Sequence, residues 1–70
     1  MKLHEWATVK GKKRKLMAIS TTAHERDSNM TVLKRHDFAN IIAIKKKGFM
    51  KLHGRNLPVV YYEVWGVPSK

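Results

Sequence analysis

Two sets of side chains in this 70-residue chain have the types and spacing needed for chemistry. In the first set, His24, Glu25 and Asp27 place a base beside carboxylates, which is what metal-assisted phosphodiester hydrolysis requires. The four histidines, however, are spaced 20, 12 and 17 residues apart, and none is followed by another histidine at helical spacing. The chain also has no cysteine, no Walker A loop and no GxSxG motif. We therefore expect no metal site, no cofactor and no enzymatic activity.

The second set consists of His36, Asn40, Ala43 and Lys47, which are separated by four, three and four residues. In a helix these positions share one face. The amide of Asn40 can pair bidentately with adenine, Lys47 can reach a guanine edge or a phosphate, and Ala43 permits close approach to a thymine methyl. This spacing predicts a helix face that reads the major groove of DNA.

Residues 37 to 47 have the signals of such a helix. Asp37 suits the N-cap and the positive end of the helix dipole, and Gly48 suits the position after the last turn. The lysines at 45 to 47 suit the negative end. The opposite arc of the helix would be apolar and face a core; it contains Phe38, Ile41, Ile42 and Ile44.

The other segments predict strands and turns. Residues 2 to 10, 16 to 22 and 30 to 35 are interpreted as strands, with an exposed turn at 11 to 15 and a polar connection at 23 to 29. Residues 49 to 65 predict a C-terminal hairpin whose connection contains Gly54, Asn56 and Pro58. The expected fold is a small single α+β domain over residues 1 to 70, with N-terminal strands, one amphipathic helix and the hairpin.

Residues 36 to 65 resemble the recognition helix and wing of winged helix-turn-helix DNA-binding domains. The resemblance rests on Asn40, Ile41, Ile44, Lys47, Gly48, Phe49, Arg55 and Tyr61. It implies that the helix face of His36, Asn40, Ala43 and Lys47 enters the major groove, and that Arg55 and Asn56 contact the backbone or minor groove from the loop tip. Residues 21 to 35 lack the apolar spacing of the further helix that such domains have, so a winged helix-turn-helix is the alternative fold.

The formal net charge of +10 points to an anionic partner, and we expect nucleic acid, most readily duplex DNA. Four consecutive cations at 12 to 15 are the densest charge cluster and are predicted to contact phosphates. The predicted DNA-binding residues are Lys12, Lys13, Arg14, Lys15, Arg35, His36, Asn40, Lys46, Lys47, Arg55 and Asn56.

The expected function is that of a regulatory or architectural DNA-binding protein, of a kind common among accessory proteins of phages and plasmids. One alternative is a non-enzymatic modulator that binds an acidic protein of the transcription or replication machinery. Another is an RNA or single-strand binder that stacks bases on Trp6, Tyr61, Tyr62 or Trp65. Because no apolar leader or membrane span is present, we expect a cytoplasmic, nucleoid-associated protein without a membrane partner. Its small size makes a homodimer a further expectation.

Overall fold

The computed structural model describes residues 3 to 69 and shows a small α+β domain, which confirms the predicted class. Its elements are β1 (Trp6–Val9), β2 (Lys12–Ser20), α1 (Ala23–Arg35), β3 (Phe38–Leu52) and β4 (Arg55–Pro68). The strands form one curled antiparallel sheet in the order β1-β2-β4-β3. Within residues 3 to 69, α1 is the only helix, and no helix has the length and apolar character to cross a bilayer.

Both hairpins turn through a residue pair that ends in glycine. Lys10 and Gly11 join β1 to β2 with φ of 50° and 81°, and His53 and Gly54 join β3 to β4 with φ of 50° and 75°. Two consecutive residues with positive φ are typical of the type I′ turn, whose twist matches that of the flanking strands. Glycine is favoured at the second position because it has no Cβ to clash in the left-handed region.

The helix begins at a threonine N-cap. Thr22 is the N-cap, and its Oγ1 accepts a hydrogen bond from the backbone N–H of Glu25 at 3.1 Å. The side chains that are shielded from solvent recur at helical spacing, at Arg26, Asn29, Met30 and Leu33. This face packs on the sheet although only two of its four members are apolar.

Polar contacts help to hold the helix against the sheet. Asn29 Nδ2 donates to Ser20 Oγ on β2 at 2.6 Å. The Arg26 guanidinium lies 4.8 Å from the centre of the Tyr62 ring on β4, within the range of a cation–π interaction. Leu33 supplies the buried apolar contact near the end of the helix. The helix therefore covers the face of the sheet that contains Ser20 and Tyr62.

The opposite face is enclosed by the curl of the sheet. Leu16 and Trp65 are register partners on this face, and both are almost fully buried. β4 is therefore covered on both sides, and Glu63 to Gly66 are four consecutive buried residues. The core of the domain lies where β2 and β4 pair.

The predicted helix at 37 to 47 is wrong, because Phe38 to Leu52 form strand β3. A bulge between Ala39 and Ile42 breaks the alternation of side chains, and consecutive isoleucines are only partly exposed. A strand covered on both faces loses its polar–apolar alternation and resembles a buried helix in sequence. Asp37 does not cap a helix N-terminus; it follows α1 with φ of 61°, in the left-handed conformation common after a helix C-terminus.

The prediction for residues 23 to 35 is also wrong, because these residues form a helix where a connection and a strand were expected. The connection expected at 23 to 29 and the strand expected at 30 to 35 together form α1. The strand predicted at 2 to 10 is confirmed over Trp6–Val9, with Lys2 outside the described residues. The strand predicted at 16 to 22 is confirmed over residues 16 to 20 of β2, whereas Thr21 and Thr22 lie outside it. β2 also includes residues 12 to 15 of the turn predicted at 11 to 15.

The C-terminal hairpin predicted at 49 to 65 is confirmed, and its strands are longer than expected. The winged helix-turn-helix arrangement is not confirmed. The part of the chain that the structure describes has a single helix, and the segment that resembles a recognition helix is a strand.

Candidate nucleic-acid interface

The β3–β4 hairpin extends well beyond the rest of the sheet. β2 pairs with β4 only from Tyr62 to Gly66, whereas β3 and β4 remain paired to Leu52 and Arg55 beside the turn. We call residues 46 to 61 the arm and the remaining described residues the body. The arm pairs span about 20 Å at the usual rise per residue, and the longest dimension of the molecule is 45 Å. The arm is thus a two-stranded ribbon with no third strand beside it.

One side of this hairpin is positively charged. Side chains alternate between the two sides of a strand, so Lys45, Lys47, Phe49 and Lys51 share one side of β3. We call these four residues the lysine face, and all four are exposed. Their register partners on β4 are Tyr62, Val60, Pro58 and Asn56. Because α1 contacts Tyr62, the lysine face continues the side of the sheet that the helix covers in the body.

The other side of the arm is largely apolar. It contains Lys46, Gly48, Met50 and Leu52 on β3, and Arg55, Leu57, Val59 and Tyr61 opposite them on β4. We call Met50, Leu52 and Leu57 the apolar face, because these large side chains are 39 to 50% exposed. Isolated apolar residues on a surface are ordinary, but three neighbours on one ribbon form a patch that a partner can cover.

The arm carries charge of a single sign. No Asp or Glu occurs between Asp37 and Glu63, whereas this stretch holds five lysines and arginines. Positive charges on a narrow projection attract an anion more strongly than the same charges dispersed among carboxylates. The arm therefore contains basic side chains and no carboxylate of its own.

Tyr61 supports the ribbon close to the body. A Cβ placed on Gly48 would lie 3.3 Å from Cε1 of Tyr61, so the ring packs directly over this glycine. An aromatic ring over a strand glycine covers backbone that would otherwise be exposed. One face of the Tyr61 ring therefore packs on the arm itself, and the residue is partly buried.

An ion pair joins the arm to the body. Lys46 Nζ lies 3.8 Å from Oε1 of Glu63, and the same oxygen accepts a hydrogen bond from Trp65 Nε1 at 3.3 Å. Glu63 is buried, and these groups line an open cleft of about 380 Å³ that also contains Val9 and Ile44. Lys46 was predicted to bind DNA with Lys47, but the two side chains lie on opposite sides of β3.

Arg14 has a structural role that differs from its predicted one. Only 6% of the residue is exposed. Its Nε donates to the carbonyl oxygen of Asn40 at 2.8 Å, and its Nη1 donates to the carbonyl of Val9. These bonds tie β2 to β3 and to the end of β1, across the curl of the sheet. The Arg14 guanidinium therefore binds two carbonyl groups inside the protein, and phosphate binding by Arg14 stays a prediction.

Asn40 is likewise not a base-reading residue on a helix. It lies in the bulge of β3 with φ of 52°, a conformation that asparagine tolerates better than most residues. Its Oδ1 is 3.4 Å from Lys12 Nζ, and its backbone carbonyl accepts from Arg14. The structure thus brings together three predicted site residues, Lys12, Arg14 and Asn40. They contact one another within the body.

The remaining predicted residues fall in three places. Lys12, Lys13 and Lys15 lie on β2 at the end of the sheet away from the arm. Arg35 and His36 lie at the C-terminus of α1, also far from the hairpin tip. Arg55 and Asn56 lie beside the tip turn and are exposed, as the resemblance implied for a loop. The predicted residues do not form one continuous surface.

The sequence reasoning missed Lys45, Phe49 and Lys51. The signal was present, because Lys45, Lys47, Phe49 and Lys51 recur at every second residue, which is the strand period. The helical interpretation of 37 to 47 separated these residues into a helix end and a following strand. His24, Glu25 and Asp27 lie at the start of α1, and no cluster of three metal-ligating side chains occurs within residues 3 to 69.

Comparison with protein-family models, with curated protein sequences and with solved structures gives no match for this chain. The functional argument therefore rests on the geometry and charge of the molecule.

Proposed function

We propose that this protein binds duplex DNA through the arm, with little dependence on base sequence. The observation that carries the proposal is the lysine face, where exposed Lys47 and Lys51 alternate along the projecting arm and exposed Lys45 lies at its base. Two-stranded ribbons are an established way of entering a DNA groove. Lysine ammonium groups bind phosphates as point charges and release counterions.

The composition of the lysine face favours backbone contact over base reading. Asn56, opposite Lys51, is the one amide on this side of the described ribbon, and asparagine is the residue type suited to bidentate pairing with adenine. Phosphate contacts position a protein without carrying sequence information. An architectural role therefore fits the arm better than a regulatory one.

The test is a titration of a fluorescently labelled random duplex by anisotropy, repeated over a series of salt concentrations. A label on the DNA is needed because Trp65 is buried and Trp6 lies on β1 in the body. We expect saturable binding whose logarithm falls linearly with the logarithm of salt concentration. Binding that does not saturate at low salt would refute DNA as the partner.

A matched pair of triple variants locates the interface. Changing Lys45, Lys47 and Lys51 to glutamine removes three charges from the lysine face, and changing Lys12, Lys13 and Lys15 removes three from the body. Three lost phosphate contacts reduce the salt slope by about 2.7. We expect this reduction in slope for the variant of the lysine face and a smaller reduction for the variant of Lys12, Lys13 and Lys15. Equal reductions would show that the charge acts diffusely and that the arm is not the site.

The apolar face favours one other candidate, an acidic partner protein. Met50, Leu52 and Leu57 are large and exposed, and a protein surface covers such residues better than a phosphate backbone does. If the partner is an acidic protein, the lysines would speed its association by electrostatic attraction. Leu57→Glu separates the candidates, since it disrupts apolar docking strongly but changes DNA binding only by one added charge.

A single-stranded or RNA ligand is less well supported by the geometry. Among the aromatic residues proposed for stacking, Tyr61 packs on Gly48, Tyr62 lies under Arg26, and Trp65 is buried. Trp6 is 45% exposed but lies on β1, apart from the arm. They do not form an exposed stacking platform. The same titration with the single strand and with duplex RNA tests this alternative directly.

A further inference from the structure

Phe49 is the most exposed large apolar side chain among the described residues. It is 77% exposed, although it lies within strand β3 and not at a turn. Exposed apolar residues on edge strands invite aggregation, and proteins usually avoid them. A phenylalanine in this position is therefore more readily understood if a partner covers it.

The surroundings of Phe49 indicate which partner. Lys47 and Lys51 lie on the same side of the strand, each about 7 Å from Phe49 along the ribbon. An aromatic ring between two ammonium groups is a poor match for an apolar protein surface, because docking there would desolvate both charges. The arrangement instead matches a surface in which apolar groups are flanked by anions. Stacked bases between phosphate backbones have this character.

Pro58 extends the apolar group across the ribbon. It is the register partner of Phe49 on β4 and therefore lies on the same side. Phenylalanine and proline are both used by DNA-binding proteins as wedges that enter between base pairs from the minor groove. Together they make a short apolar ridge at mid-arm, with cations before and after it.

On the basis of the proposed DNA binding, we propose that Phe49, backed by Pro58, is a wedge that enters a base step from the minor groove and bends the duplex. Lys47 and Lys51 contact the phosphates on either side of the opened step. The arm lies in the minor groove, which widens as the duplex kinks toward the major groove. The protein thus deforms DNA as well as binding it.

A single wedge also fits the distribution of aromatic residues. Phe49 is the one aromatic side chain on the arm's lysine face, because Tyr61 lies on the opposite side and packs on Gly48. Binding of single strands requires successive bases to stack on several rings. One isolated ring can open one step of a duplex but cannot follow a strand.

The test measures bending separately from binding. A duplex of about 30 base pairs carries a donor and an acceptor dye at its two ends, and anisotropy of the same duplex reports binding. We expect the full chain to shorten the end-to-end distance in proportion to saturation, which corresponds to a kink of about 20 to 90°. We expect Phe49→Ala to lose the bend, to retain its salt slope, and to change its affinity by less than about tenfold.

Met50→Ala is the matched control. Met50 is the next residue of β3, is 50% exposed and lies on the apolar face, away from the lysines. Its removal leaves the bend intact if Phe49 is the wedge. Both variants alter exposed side chains, so neither is expected to unfold the body.

Each outcome decides a different question. Saturable binding without bending by the unmodified protein overturns the wedge and leaves DNA binding in place. A bend that survives Phe49→Ala also overturns it. Tighter binding to single strands than to the duplex, lost in Phe49→Ala, would make Phe49 a stacking residue and overturn the duplex wedge. If the duplex does not bind at all, the proposed function itself fails.

Discussion

The β3–β4 hairpin is built from one continuous pair of strands, yet its two halves have opposite surroundings. In the body, β4 lies between β2 and β3, is covered by α1, and buries four consecutive residues from Glu63 to Gly66. In the arm, the same strands have only each other, and large apolar residues such as Phe49 and Met50 are exposed. An isolated two-stranded hairpin is only marginally stable in water. The arm therefore depends on its attachment to the body.

This contrast assigns stability to the body and the proposed binding to the arm. The buried core comprises Leu16, Leu33, Val64 and Trp65, all in the body. The arm contains four basic residues and no Asp or Glu of its own; the four are Lys46, Lys47, Lys51 and Arg55. Substitutions in the body should change the free energy of unfolding, and substitutions in the arm should change binding.

The largest expected effect is on the free energy of unfolding, when leucine is changed to alanine once in the body and once in the arm. Leu16→Ala removes a fully buried side chain and should lower the free energy of unfolding by about 2 to 5 kcal/mol. Leu57→Ala removes a side chain that is 39% exposed and should change it by no more than about 0.5 kcal/mol. Urea denaturation followed by circular dichroism measures both. Equal losses would show that the arm belongs to the cooperative core.

Arg14 provides the next test, because its exposed neighbour Lys13 is the matched control. Arg14→Met leaves the carbonyls of Val9 and Asn40 without their donor and should cost about 1.5 to 3 kcal/mol. Lys13→Met should leave stability nearly unchanged, since this side chain is exposed. Urea denaturation of the two variants supplies the comparison. If Arg14→Met unfolds like the unmodified protein but loses DNA affinity, then Arg14 binds phosphate as the sequence suggested.

The two type I′ turns compare the regions through their backbones. Gly11→Ala and Gly54→Ala each force alanine into positive φ, which costs about 1 to 2 kcal/mol. The first change should lower the free energy of global unfolding, because β1 and β2 belong to the body. The second should mainly open the arm. Native-state amide exchange distinguishes them: faster exchange confined to the arm is expected for Gly54→Ala, and faster exchange throughout the body would contradict the division.

The same contrast explains which parts of the molecule could be predicted. The hairpin was predictable because glycine and asparagine interrupt two β-rich runs. Strand β3 was predicted as a helix for two reasons. It is covered on both faces near Ile41 and Ile42, so polar and apolar residues do not alternate there. The bulge at Asn40 also shifts which side chains share a face. Three isoleucines within four residues are typical of a strand, but the helical interpretation assigned them to an apolar helix face.

The true helix had one signal that the sequence reasoning passed over. Glu25 follows Thr22 at the spacing of a capping-box sequence, which is a local marker of a helix start, and Thr22 caps the helix through the backbone N–H of Glu25. The packed face of α1 is half polar, since Arg26 and Asn29 contact the sheet through an aromatic ring and a hydroxyl group. A search for an apolar stripe could not find such a face. The candidate site was predicted in part, because Lys47, Arg55 and Asn56 lie on the arm, whereas Arg14 and Asn40 were recruited into the body by contacts between distant strands.

The smallest expected effect concerns adjacent lysines on opposite sides of one strand. Lys47→Gln removes a charge from the lysine face and should lower the salt slope of DNA binding by about 0.9, which weakens affinity about fivefold near physiological salt. Lys46→Gln removes the same charge from the other side, where the ammonium group lies 3.8 Å from the Glu63 carboxylate, and should change the slope little. The two variants have identical net charge, so any difference between their titrations must come from position. A greater loss for Lys46→Gln would place the DNA on the apolar face and invert the orientation of the arm.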